Sequence, residues 1–156
     1  STQFKDVSNP NEFKKIIYTG PIDEFFDYRH GELPYRSIQF EFITHDTEYK
    51  QKVGTMNFPG FEFKHTRMTE FKHLTFQKNP KTTLCREYPE AYNSKKNLPY
   101  YPIPTQENKV LLQKYRAEAE KIKERIAFVG RLADYQYFNM DQAVARGLQF
   151  FQKEIL

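Results

Sequence analysis

The sequence predicts an α+β protein with a largely antiparallel sheet in its middle, flanked by a strand and helices at its ends. Two patterns carry this. Between Tyr35 and Tyr88 apolar and polar residues alternate with a period of two, broken by turn residues. After Thr105 apolar residues recur instead at spacings of three and four, the period of an amphipathic helix.

In chain order, Ser1 to Asn11 is polar and expected to be loose. Lys14 to Tyr18 is a short strand, ended by Thr19-Gly20-Pro21, because glycine frees the backbone and proline cannot continue a ladder. Asp23 to Tyr28 suits one helical turn. Tyr35 to Thr44 is a strand with Ile38, Phe40 and Phe42 on one face and Gln39 and Glu41 on the other. Val53 to Phe58 is a second strand, and Pro59-Gly60 a turn signal. Phe61 to Phe76 alternates throughout and is predicted as one long strand. Its charges crowd onto one face, yet Arg67 falls on the aromatic one, where a cation needs a partner or a ligand. Thr82 to Tyr88 is a fourth strand, and Pro89 to Leu98 a polar loop.

Pro99-Tyr100-Tyr101-Pro102 follows as a stiff aromatic knot, since two prolines hold the backbone extended. Thr105 caps a helix with Leu112, Tyr115, Ala119 and Ile122 as its buried stripe. Ile126 to Val129 is an apolar run of the kind a buried strand needs. Gly130 turns the chain, and Arg131 follows at once. Asn139 and Gln142 form a capping-box pattern before Met140, Val144, Leu148, Phe151 and Ile155. The helix they begin offers unpaired N–H groups and partial positive charge at its start, which suits an anion or an electron-rich ring.

Composition narrows the partners. The 156 residues include 15 Phe and 11 Tyr but no Trp, and the net charge is +4. That balance is too weak, and its basic residues too scattered, to indicate nucleic acid. No apolar run is long enough to span a membrane and no signal-peptide pattern opens the chain, so no membrane partner is expected. Cys85 is the only cysteine, which excludes an intrachain disulfide and fits a cytoplasmic location. His65 and His73 sit on one predicted face but eight residues apart, so aromatic packing is the better reading than a metal site.

Four stretches carry a resemblance. FVGRLADYQYFNMDQA looks like FGGRLAEYKYYDMDQ, the closing segment usual in UDP-galactopyranose mutases. YTGPIDEFFDYRHGELPYRS, HTRMTEFKHL (family form close to YTRIIEHKHF) and PYYP are similar to further motifs of that family. The resemblance runs from about Ile16 to the C-terminus.

It implies an isomerase that interconverts UDP-galactopyranose and UDP-galactofuranose by covalent catalysis on reduced FAD. On that resemblance Arg67 is the catalytic arginine, and Arg67, Tyr101 and Tyr137 hold the substrate diphosphate. Thr19, Gly20, Arg36, Gly130, Arg131, Asn139 and Met140 lie at the cofactor. Three departures stand out: His65 for Tyr, Phe71 for His, and Asn139 for Asp.

No Gly-x-Gly-x-x-Gly turn occurs among the six glycines, whereas dinucleotide binding needs one. The chain therefore resembles a C-terminal portion of the enzyme. Residues 1–32 are expected to end part of the FAD-binding domain, 33–104 to form the sheet domain, and 105–156 to return to the FAD-binding domain. The portion alone is expected to be inactive and not to retain FAD. Self-association of the fragment and a homodimer of the complete protein are also expected. The alternative reading is a non-catalytic homologue that binds a nucleotide sugar or a protein.

Overall fold

The structure, a computed structural model, describes residues 4–7 and 9–156. The expectation of a loose N-terminus lies outside the described residues at 1–3 and 8. Within them, Phe4–Asp6 and Pro10–Glu12 are single 3-10 turns. The elements that follow are β1 (Ile16–Tyr18), α1 (Ile22–Phe25), β2 (Tyr35–His45), β3 (Thr55–Asn57), β4 (Arg67–Glu70), α2 (Lys72–Thr75), β5 (Thr82–Ala91), β6 (Tyr101–Pro102), α3 (Gln106–Lys121), β7 (Ile126–Phe128) and α4 (Met140–Glu154). This is an α+β fold. The chain divides into two compact units, one built from Ser1–Tyr35 and Tyr101–Leu156, the other from Arg36–Tyr100.

In the first unit β1 and β7 pair in parallel, Ile16 opposite Ile126 and Tyr18 opposite Phe128. One face of this pair packs on aromatic rings. Phe25 meets Tyr18 and Phe128 edge-on at 5.0 Å each, and Phe26 stacks on Phe128 at 5.7 Å and on Tyr115 at 6.0 Å. Tyr115 and Leu33 are fully buried. The Tyr115 hydroxyl donates to Gly31 O at 2.7 Å and accepts the His30 N–H at 3.1 Å, which ties α3 to the loop after α1. Thr105 caps α3 as expected, accepting the Asn108 N–H at 3.3 Å. Leu112 and Tyr115 are buried, while Ala119 and Ile122 are only half-buried.

Asp23 is buried in this unit. Its Oδ2 accepts the Leu33 N–H at 2.8 Å, and its Oδ1 has no hydrogen-bond partner among the described residues. Burial pushes the Asp23 carboxyl up to about 6, against the backbone hydrogen bonds that favour its charge. The folded state thus binds the proton more tightly than the unfolded chain does. The stabilisation is fully present below the ordinary aspartate range near pH 4 and is lost as pH rises through about 6. The shift corresponds to roughly 2–3 kcal/mol. Asp23→Asn keeps an acceptor for Leu33 and removes the titration. In urea denaturation the variant is expected to gain stability relative to wild type as pH rises from 4.5 to 7. A difference between the two proteins that stays constant with pH would refute this.

In the second unit β2 and β5 form a long antiparallel ladder, with β4 on the other side of β5 and β3 beyond β4. The predicted strand over Phe61 to Phe76 is corrected: only Arg67–Glu70 is strand, and a helical turn, Lys72–Thr75, follows it. Two anchors pull the chain out of the sheet. Glu70 is fully buried and accepts the Lys50 and Gln51 N–H groups and the Thr82 hydroxyl. The Lys72 ammonium donates to the carbonyls of Glu48, Asn79 and Lys81. Burial raises the Glu70 carboxyl, but these donors outweigh it and hold the group below its ordinary value.

Before β4, Phe58 and Phe63 pack on His65 at 4.5 and 5.7 Å. The alternation there reflects ring packing in a turn and not a pleat. Val53 to Phe58 likewise shortens to Thr55–Asn57.

Candidate functional site

Cross-strand partners share a face of a sheet. The register therefore sets Asn57, Arg67, Glu87 and Phe40 in one row across four strands, with Thr55, Thr69, Cys85 and Phe42 in the next. Arg36 lies on this same face of β2. The aromatic face expected for Arg67 within its own segment does not form, since Phe61, Phe63 and Phe71 lie outside β4; the rings on its face come from β2 instead, where Phe40 is 39% and Phe42 64% exposed. Tyr100 packs edge-on against Phe40 at 5.7 Å.

Arg67 has a partner the sequence did not reveal. Its Nε and Nη2 donate to the two carboxylate oxygens of Glu87, both at 2.8 Å. Glu87 is buried, while the Arg67 side chain is 43% exposed. The bidentate fork fixes the guanidinium plane and neutralises a carboxylate that burial would otherwise penalise.

The first unit holds a second cluster. Tyr101 and Tyr137 stack at 5.6 Å, and the Arg131 guanidinium lies 5.7 Å from the first ring and 5.3 Å from the second. Arg131 also donates to the Phe138 carbonyl. These contacts hold a cation against two phenol rings, and Tyr137 is 55% exposed. Immediately after comes the head of α4. Gln142 Oε1 accepts the Asn139 N–H at 2.8 Å, the reach-back bond of the capping box. Met140 is 86% exposed.

Thr19 and Gly20 follow β1 at the end of the parallel pair where Gly130 follows β7, and Val129 N–H donates to Tyr18 O at 3.1 Å. Gly20 is required sterically, since a Cβ there would lie 2.6 Å from the Tyr18 hydroxyl oxygen. Gly130 is required conformationally, at φ +115°. The structure thus gathers Thr19, Gly20 and Gly130 at one strand end, and Tyr101, Arg131 and Tyr137 in one cluster. Arg36 and Arg67 belong to the second unit.

The residues fit a flavin dinucleotide in part. A helix start with a neighbouring arginine and an open glycine turn, over which an added Cβ meets nothing within 4 Å, suits an anionic group. The sequence's departures settle differently. His65 packs among Phe58, Phe63 and Tyr88. Phe71 is 41% exposed at the start of the helical turn α2. His73 Nε2 lies 3.0 Å from Gln51 O and 3.4 Å from Glu70. Among the described residues no group of three metal-ligating side chains occurs, and no helix is long and apolar enough to cross a membrane.

The family model described as UDP-galactopyranose mutase matches residues 1–137. The chain is 36% identical over 139 residues to a probable UDP-galactopyranose mutase of Klebsiella pneumoniae, covering 88% of this chain and 35% of that protein. It is 35% identical over 145 residues to the UDP-galactopyranose mutase of Mycoplasma genitalium, covering 90% and 35%. It is also 29% identical over 150 residues to a dTDP-fucopyranose mutase of Escherichia coli, covering 95% and 39%. A crystal structure of reduced UDP-galactopyranose mutase superposes with a TM-score of 0.68 at 16% identity, over 87% of this chain and 40% of that one, which is a likeness of fold. The chain thus spans little more than a third of the length of the curated relatives it matches. On the family match and these identities, the chain belongs to the UDP-galactopyranose mutase family.

Proposed function

We propose that this chain is the part of a UDP-galactopyranose/UDP-galactofuranose isomerase that supplies its diphosphate-binding arginine and tyrosines. The observation that carries the reading is Arg67, locked by Glu87 on an open aromatic face. Arg67, Tyr101 and Tyr137 hold the substrate diphosphate, which leaves the sugar and then returns to it. A guanidinium suits that group because its planar fork matches phosphate oxygens, and tyrosine hydroxyls add neutral donors.

Thr19, Gly20, Arg36, Gly130, Arg131, Asn139 and Met140 form this chain's share of the FAD site. When bound, reduced FAD supplies the nucleophile for the anomeric carbon. Arg131 and the α4 N-terminus favour negative charge on the reduced ring. Asn139 caps α4 as an aspartate would but brings no carboxylate to the cofactor. Residues 1–32 and 105–156 belong on this reading to the FAD-binding domain, and 33–104 to the sheet domain. The complete protein acts as a cytoplasmic homodimer.

Likeness to a dTDP-fucopyranose mutase favours one second reading, in which the same ring contraction acts on a dTDP-linked 6-deoxy sugar. The test is an assay of the complete protein with chemically reduced flavin, offering UDP-galactofuranose and the furanose form of dTDP-fucose separately. Conversion of the first to its pyranose is expected. Conversion of the second alone would select the dTDP reading. Turnover of neither by a folded, flavin-loaded protein would overturn both in favour of a non-catalytic homologue.

A further inference from the structure

The turn that presents Arg131 is built by two side chains, Asp134 and Arg146, to which the sequence assigned no role. Asp134 Oδ2 accepts the Gly130 N–H at 3.0 Å, and Gly130 O accepts the Asp134 N–H at 2.7 Å. The turn is closed on itself. From α4, Arg146 donates through Nε to Asp134 Oδ2 and through Nη2 to Oδ1, both at 3.0 Å. The same Nη2 lies 3.5 Å from the carbonyl of Phe128, the last residue of β7. Six residues before Arg146, α4 begins at Met140. Both side chains are largely shielded, with 31% of Arg146 and 17% of Asp134 exposed.

We infer that Asp134 and Arg146 are positioning residues that lock the Gly130–Arg131 turn to α4 and so fix the positive charge this end of the unit presents to the flavin. The inference rests on the proposed function for the flavin, and on geometry alone for the lock. One guanidinium engages the strand end, the turn's carboxylate and the helix at once. A shift of any one of the three therefore breaks a charge-assisted bond. Neither side chain is among the residues assigned to ligand, so their effect passes through Arg131 and the helix start.

Lysine at 146 keeps the charge but cannot span both oxygens of Asp134 and reach Phe128 as well. Methionine keeps the helix and the stem but loses the fork. Two measurements on the complete protein test the lock. The first is amide hydrogen exchange at Gly130 and Arg131 in flavin-free protein. Exchange is expected to quicken at least tenfold in Arg146→Met, and less in Arg146→Lys, while amides of β2 and β5 stay as slow as in wild type. The second is the flavin reduction potential. A roughly tenfold weaker preference for reduced over oxidised flavin, about 30 mV for a two-electron couple, is expected in Arg146→Met. A purely structural role would lower melting temperature without moving the potential. Unchanged exchange and potential in both variants of a flavin-loaded protein overturn this inference alone. A wild-type protein that holds no flavin overturns it together with the function it rests on. Arg146→Lys keeps the test open where Arg146→Met does not fold.

Discussion

Replacing Arg67 by alanine in the complete protein is expected to lower kcat/KM by at least ten- to a hundredfold. A charge-assisted hydrogen bond contributes about 1.5–3 kcal/mol, and each 1.36 kcal/mol is tenfold in rate. The loss grows if the diphosphate is held both as it leaves and as it returns. Alanine also strands Glu87, which is 8% exposed and gives both carboxylate oxygens to Arg67. The exchange therefore lowers stability too, and stability must be read alongside turnover. Arg67→Lys separates the two effects: it retains a charge opposite Glu87 but not the two-pronged geometry. A lysine variant that melts near wild type yet turns over slowly assigns the loss to substrate. Full activity in either variant would remove Arg67 from the site.

The isolated 156-residue chain is expected to purify without flavin and to show no turnover. Its glycines form no phosphate-binding turn, so the dinucleotide's pyrophosphate finds no cradle of backbone N–H groups here. Losing two such contacts, at about 1.5–3 kcal/mol each, weakens binding by roughly a hundredfold or more. The fold points the same way. Parallel sheets are normally covered on both faces, yet here the pair has only two strands and Ile17 is 49% exposed. On α4, Met140, Val144, Leu148, Phe151 and Ile155 repeat as the sequence predicted, and every one of them is exposed. A stripe of this kind favours self-association. Absorbance near the flavin maximum and light scattering of the purified chain check both expectations. A yellow, monomeric fragment would contradict them.

How much of this was legible depended on whether a signal was local. Caps and turns were, because their partners lie three or four residues away: Thr105 with Asn108, and Asn139 with Gln142. Strand limits around β4 were not. Aromatic and charged residues alternate through Phe61 to Thr66 because rings pack within a turn, and period-two alternation does not distinguish that from a pleat. The helical turn after Glu70 depends on anchors from remote loops, Lys50, Gln51 and Asn79 among them. Glu87 was missed because it meets Arg67 only through the β4–β5 register, twenty residues on. Asp134 and Arg146, twelve apart, belong to a loop and a helix face whose meeting leaves no period in the sequence. The resemblance supplied the ligand-facing residues but not the side chains that support them.

Tyr135 has a consequence for how this protein can be taken apart. Its hydroxyl donates to Pro34 O at 2.5 Å and accepts the Ile103 N–H at 3.2 Å, pinning together the two points where the chain leaves and re-enters the first unit. Just beyond, the Tyr100 N–H donates to Arg36 O at 3.0 Å, so the ends of the second unit are also joined to each other. The Arg36–Tyr100 segment thus begins and ends at one place, and Tyr135 holds the flanking chain ends of the first unit together. With Ile103 N–H donating to Pro34 O at 3.3 Å, a short glycine bridge from Tyr35 to Tyr101 is expected to replace the segment. Exchange of this segment between family members becomes a practical way to swap Arg67 and its face as one piece.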